Sequence, residues 1–194
     1  LTTGATDVIT ITVNDADATS VTAAALSTLG GKTAGTVTVT NAVAITGSAD
    51  EVTAALVTDA TKVIASTATV DVTGEAKVAD LNAIAAQTSG VVTATLVTGS
   101  LASFSSVAET GNAYTITIDN AAASTLLATD LSTLGGKTTG VVTVTNAVAI
   151  SGTASEVTAA LVTTNTLVLA ATATVTINNA AASAIDKRLF FCRG

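Results

Sequence analysis

Threonine alternates with valine or isoleucine in seven short stretches of the chain, at 9–13, 37–40, 68–72, 91–97, 114–118, 142–145 and 173–177. A period of two in β-branched residues is the pattern of a strand with one face buried and one face wet. Between these stretches the apolar residues fall at helical spacing instead. Val21, Ala24, Ala25 and Leu29 share one face, as do Val52, Ala55 and Leu56, and then Val78, Leu81, Ile84 and Ala85. Later intervals use Phe104, Val107 and Ala108, then Leu127, Leu131 and Leu134, then Val157, Ala160 and Leu161, and last Ala181, Ile185 and Leu189. The period of 3.6 predicts a helix after each strand.

Strands separated by helices run parallel when neighbours pair, because each crossover returns the chain to the same end. The expectation is an α/β fold: a repeat solenoid of strand–helix units with a parallel β-sheet and helices mainly on one face. A parallel strand buried on both faces reads as an unbroken apolar run, whereas these strands carry a hydroxyl at every second position. That favours helices on a single face over an open doubly wound sheet.

The segment 26–58 recurs at 131–163 with five differences in 33 positions, an offset of 105 residues. Such identity marks duplication of a block containing several units. Residues 1–189 therefore read as a single array of about seven βα units, with the VAITG and TDATKV stretches as loop insertions. Residues 190–194 stand apart as an atypical tail, an artefact or the start of a different unit. Three of the seven basic residues, two of the three Phe and the single Cys, Cys192, lie in 187–194.

Local chemistry marks the helix ends. Ser48 with Glu51 and Thr153 with Glu156 have capping-box spacing. Gly30 and Gly135 follow Leu29 and Leu134, where a left-handed residue would close a helix. The GGKT sequence at 30–33 and 135–138 follows a helix, whereas a phosphate-binding loop precedes one.

Composition narrows the chemistry. Of the 194 residues, 41 are Thr and 40 are Ala, and there is no His, Met, Trp or Pro. Few large side chains suit thin layers of Val, Ile, Leu and Ala better than one thick core. Without His, no Ser, Thr or Cys nucleophile has its usual base, and the commonest metal ligand is missing. Lys32 and Lys137 sit in duplicated turns, and the Asp50–Glu51 pair loses one acid to Ser155 in the second copy. No catalytic or cofactor-binding constellation emerges, and the expectation is that the chain is not an enzyme. Fourteen acidic against seven basic residues, a net charge of −7, argue against nucleic acid as a partner.

The uncharged stretches 81–108 and 157–185 exceed the length of a membrane span, but Thr, Asn, Ser and Gly interrupt both, and no span is expected. The first residues carry no basic, apolar and small-residue succession of a signal peptide.

T-x-T accompanies each predicted strand: Thr10 and Thr12, Thr38 and Thr40, Thr67 and Thr69 with Thr67 just ahead of 68–72, Thr93 and Thr95, Thr115 and Thr117, Thr143 and Thr145, Thr174 and Thr176. Stacked strands would align these as two hydroxyl ranks about 4.8 Å apart from strand to strand. The ranks resemble the flat Thr arrays of ice-binding β-solenoids, which implies a surface for ice or glycan. Thr is also simply a soluble β-branched residue for a wet face. Asp15, Asp17, Asp71, Glu75 and Asp119, with Asn41, Asn120, Asn146 and Asn178, recur near strand exits. Stacked oxygens there could hold calcium, and the same residues also make turns and caps without metal.

The duplicated LSTLGGKT and VTVTNAVAI blocks, with the low charge and Thr/Ala/Val bias, resemble the tandem arrays of giant secreted surface proteins of marine bacteria, cyanobacterial surface and motility proteins among them. That resemblance implies an extracellular or cell-surface location and a role as extension, coat or adhesion scaffold. It also implies partners that are neighbouring repeats of the same or an identical chain, joined end to end. A phage fibre or adhesin shaft is a further reading.

Overall fold

A computed structural model describes residues 6–108, 110–166 and 168–178. In chain order its elements begin with strand β1 (Ile11–Val13), strand β2 (Ser20–Thr22) and helix α1 (Ala23–Gly30). Next come β3 (Val37–Val39), β4 (Ala44–Ser48) and α2 (Ala49–Leu56), then β5 (Val63–Ile64), β6 (Thr69–Ala76) and α3 (Val78–Ala85). The middle of the chain is β7 (Val92–Leu96) and a 3-10 turn at Leu101–Phe104. It is followed by β8 (Ala113–Ile118), β9 (Thr125–Leu127) and α4 (Ala128–Gly135). The remainder is β10 (Val142–Val144), β11 (Ala149–Gly152), α5 (Ala154–Leu161), a 3-10 turn at Thr164–Thr166, β12 (Val168–Leu169) and β13 (Thr174–Ile177).

The fold is α/β, and all pairings between these strands are parallel. The strands form three sheets, of order β1-β3-β5, β12-β10-β8-β7-β6-β4-β2 and β13-β11-β9, none of which closes on itself. Registers repeat along the chain. Ile11 pairs with Val37 and Val37 with Val63, while Ile116 pairs with Val142 and Val142 with Val168, each a step of 26 residues. In the middle the step shortens: Val70 pairs with Val92 and Thr93 with Ala113, steps of 22 and 20.

The alternation places Val, Ile and Leu inside. Val37, Val39, Val70, Val92, Ile116, Val142 and their neighbours form one buried cluster with Leu26, Val52, Leu56, Leu81, Ile84 and Leu131 from the helices. Helix α1 packs on α2, α2 on α3, and α4 on α5. Among the described residues, no helix is long and apolar enough to cross a membrane.

The structure corrects the sequence reading at several points. All but the first residue of the VAITG stretch read as a loop lies in β4, and the TDATKV stretch runs into β5, so most units carry two strands where one was expected. A single sheet was expected, and there are three. The face proposed for α1 is rotated: Val21 lies in β2, Ala24 and Ala25 are exposed, and Ala23, Leu26 and Gly30 are buried. Phe104 and Val107 are buried as expected, but on a 3-10 turn and the residues after it rather than on a helix. Leu127 is exposed at the end of β9.

The helix C-termini also differ from expectation. Gly30 and Gly135 are the last helical residues, and the capping residues Gly31 and Gly136 have φ of −69° and −70°, right-handed rather than left-handed. Glycine is required at Gly30 and Gly135 by close approach, since a Cβ would lie 2.1 and 2.3 Å from the carbonyl oxygens of Thr61 and Thr166. Both capping boxes form as predicted, with Ser48 and Thr153 each exchanging hydrogen bonds with the glutamate three residues on. The helical face at Ala181, Ile185 and Leu189 and the tail 190–194 lie outside the described residues.

Candidate functional site

The T-x-T residues divide among the three sheets and do not form two continuous ranks. Thr10, Thr40, Thr67 and Thr145 lie outside the strands. Thr12 stands opposite Thr38, whose next partner is Ile64. On the central sheet Thr95 faces Thr115, and Thr117 faces Thr143, whose next partner is Leu169. Thr69 neighbours Ala44, while Thr174 and Thr176 neighbour Ala149 and Ser151. A row the sequence reading missed runs Thr22, Thr46, Asp71, Thr93, Ala113 across five strands. Carboxylates interrupt this face: Asp71 lies between Thr46 and Thr93, and Glu75 pairs with Thr95 beyond an irregularity in β6. The result is short hydroxyl pairs flanked by charge and by alanine.

The Asn and Asp residues at strand exits are occupied in turns. Asn41 donates from Nδ2 to the Asp15 carbonyl at 2.6 Å and to Asn14 Oδ1 at 3.2 Å, and Asp17 Oδ1 accepts the Ala42 N–H at 2.9 Å. In the second copy Asn146 donates to the carbonyls of Asp119 and Asn120 at 3.1 and 2.9 Å. These bonds tie each turn to the one before it, an ordinary use of Asn and Asp in turns. Among the described residues, no three Asp, Glu or Cys side chains come together as a metal site. Asn178 donates its backbone N–H to Gly152, and Cys192 lies outside the described residues. Lys137 donates from Nζ to the Ala108 carbonyl at 3.2 Å.

Two features escaped the sequence reading. One is a threonine clamp ahead of the strands, at Thr33 and Thr138, which are buried, and at Thr88, which is half-buried, each followed two residues later by glycine. Its signal was present as T-x-G before three strand patterns. The other is a cleft of about 360 Å³ between the 3-10 turn and α4. Leu101, Phe104 and Val107 form one wall and Leu126, Leu134 and Lys137 part of the other, with Asp130 beside them. The cleft arises because one turn of 3-10 helix stands where neighbouring units place a full helix. The shortened register of 22 and 20 residues is the sign of it in the structure. It brings together apolar side chains, the polar side chains of Ser105, Asn120, Thr125 and Thr133, one carboxylate and one ammonium.

No protein-family model matches the chain, and neither does a curated protein or a solved structure.

Proposed function

We propose that the chain is a non-catalytic structural module of a larger extracellular or cell-surface protein, serving as extension, coat or adhesion scaffold. In this reading strand–helix units pile up as a solenoid with helices mainly on one face, and each unit hides its apolar surface against the next. The partners are neighbouring repeats, end to end. The observation that supports it is the register. Both copies advance by the same parallel steps, 26 residues in β1-β3-β5 and β8-β10-β12 and 24 then 25 in β2-β4-β6 and β9-β11-β13, and among the described residues the outermost strand of each sheet pairs on one side alone. A surface-binding role for ice or glycan draws less support, because Asp71 and Glu75 sit within the Thr face.

Insertion of a second copy of residues 26–130 after Asp130 preserves the 105-residue register and tests the reading. Four added strand spacings of about 4.8 Å should lengthen the particle by about 19 Å in small-angle scattering, at constant cross-section. Growth of a rounder particle in all dimensions would refute the solenoid.

A further inference from the structure

The 105-residue offset relates surfaces as well as sequence. The strands β1 and β2 with α1 correspond to β8 and β9 with α4, down to a matching pair of left-handed alanines, Ala18 at φ 61° and Ala123 at φ 63°. Their environments nevertheless differ. Ile116 and Ile118 are fully buried, whereas Ile11 and Val13 are only half-buried. Leu126 and Leu134 are 5% exposed, whereas Val21 and Leu29 are again half-buried.

What covers the second copy is the segment from β7 to Val107. Strand β7 pairs with β8, Phe104 and Val107 are buried, and the 3-10 turn packs against α4. Polar contacts fix it there. Val92 donates its N–H to Asn112 Oδ1 at 2.9 Å, Leu101 donates to Asn120 Oδ1 at 2.7 Å, and the Gly99 N–H reaches the Thr117 carbonyl at 3.2 Å. At the N-terminal face Asp15 stands in the position of Asn120, so an acceptor is retained there.

The opposite face shows the converse. Val70 and Val72 of β6 are buried beside β7, while their counterparts Val175 and Ile177 of β13 are 46% and 48% exposed. Leu56 of α2 is buried where α2 meets α3, while its counterpart Leu161 of α5 is half-buried.

Both differences have one explanation. Resting on the end-to-end reading above, we infer that the two ends are docking faces for a single kind of element, a helix–strand–turn joint built like residues 78–107. The N-terminal face receives the strand-and-turn half of such a joint, and the face formed by β12, β13 and α5 receives its helix-and-strand half. The stretch 1–77 and its counterpart from residue 106 onward therefore do not abut directly; a joint of this type lies between each such pair, as α3, β7 and the 3-10 turn do here.

The test fuses a copy of residues 78–105 ahead of Leu1, which keeps the register because residue 106 corresponds to residue 1. In β1 the Ile11 N–H bonds toward β3, so the Thr10, Thr12 and Asn14 amides face the open edge. Their hydrogen exchange should slow at least about tenfold in the fusion, and should not when the appended copy carries Asp in place of its Leu96 and Phe104. A synthetic peptide of residues 90–108 added to the unaltered chain should protect the same three amides. Unchanged exchange in both experiments overturns the inference. Filaments of the unaltered chain formed by direct pairing of β12 and β13 with β1 and β2 would also overturn it while leaving the end-to-end module intact. Failure of the insertion variant to lengthen would instead strike the module itself.

Discussion

Thr138 Oγ1 accepts the backbone N–H of Tyr114 at 2.7 Å and donates to the carbonyl of the same residue, 2.9 Å away. The hydroxyl also accepts the Gly140 N–H at 2.9 Å and lies 3.2 Å from the Asn112 carbonyl. Thr138 is buried, so one side chain closes the backbone polar groups at the start of two neighbouring strands where the ladder has not yet begun. Thr33 repeats the arrangement with Ile9 and Gly35, every contact at 2.8 Å. Thr88 makes part of the arrangement, donating to the Ala68 carbonyl and accepting the Gly90 N–H, while the Ala68 N–H goes to the Ala65 carbonyl.

Substitution Thr138→Val keeps the shape and removes the hydroxyl. The Tyr114 and Gly140 N–H groups then lose this acceptor, and a buried unsatisfied donor costs roughly 1–3 kcal/mol. The variant should lose about 2–4 kcal/mol in urea denaturation with an unchanged m-value, while Thr138→Ser retains most of the wild-type stability. Thr33→Val should cost less, because its partners Asp7 and Ile9 lie at the exposed N-terminal end. A loss below about 0.5 kcal/mol for Thr138→Val would show that water replaces the clamp.

The glycine after each clamp is there for contact. A Cβ at Gly140 would lie 2.3 Å from the Tyr114 carbonyl oxygen, and one at Gly90 would lie 2.2 Å from that of Ala68. Both neighbours are backbone and cannot swing away. Gly140→Ala and Gly90→Ala should each cost about 1–3 kcal/mol or more by forcing adjacent strands apart.

The paired glycines at the end of α4 make a sharper test, since adjacent positions should respond in opposite directions. Gly135→Ala sets its Cβ 2.3 Å from the Thr166 carbonyl oxygen and should destabilise by a similar amount. At Gly136 the nearest atoms are 3.5 Å away and φ is −70°. Gly136→Ala should therefore be neutral or stabilise by about 0.4–1 kcal/mol through the unfolded chain. Equal effects at the two positions in thermal denaturation would contradict this account.

The capping boxes predict matched effects in both copies. Ser48→Ala and Thr153→Ala each remove the acceptor for the N–H of the glutamate three residues on, and each should cost about 1 kcal/mol. Glu156→Gln keeps an oxygen within reach of the Thr153 N–H, 2.7 Å away in the wild type, and should cost less than half as much. Chemical denaturation of the three variants checks the ordering.

How much of this could be read in advance follows from residue size and spacing. Strands β3, β7, β8 and β10 were legible because Val and Ile alternate with Thr and nothing else competes. Helices α2 and α5 were legible because a capping box precedes their apolar face. Strand β4 was not, because Ala44, Gly47 and Ser48 carry little strand signal, and its place depends on pairing with β2 and β6. The two-residue strands β5 and β12 exist only through the neighbour each pairs with. Periodicity also could not show that β8 follows β7, which itself pairs with β6, so that the Thr residues divide among three sheets. The cleft beside α4 depends on a helix shortened to one 3-10 turn, a tertiary outcome that Phe104, Val107 and Ala108 at helical spacing do not announce.

Ala18 and Ala123 are the only non-glycine residues with positive φ among those described, at 61° and 63°. Each donates its N–H to a carbonyl of the following turn, Ala18 to Ala42 at 2.9 Å and Ala123 to Ala147 at 2.8 Å, and those bonds hold the left-handed geometry in place. An L-residue in that region pays roughly 1–2 kcal/mol through Cβ crowding, which glycine avoids at an entropic cost of about 0.5–1 kcal/mol. Ala18→Gly and Ala123→Gly should thus each stabilise by about 0.5–1 kcal/mol, raising the melting temperature by about 1–4 °C in a chain of this size. The two sites use different partners, so the double variant should gain the sum. Ala18→Val should lose stability, since a β-branched residue is a poorer fit there. A lower melting temperature for both glycine variants would mean that the alanine methyls make contacts worth more than the backbone strain they cause.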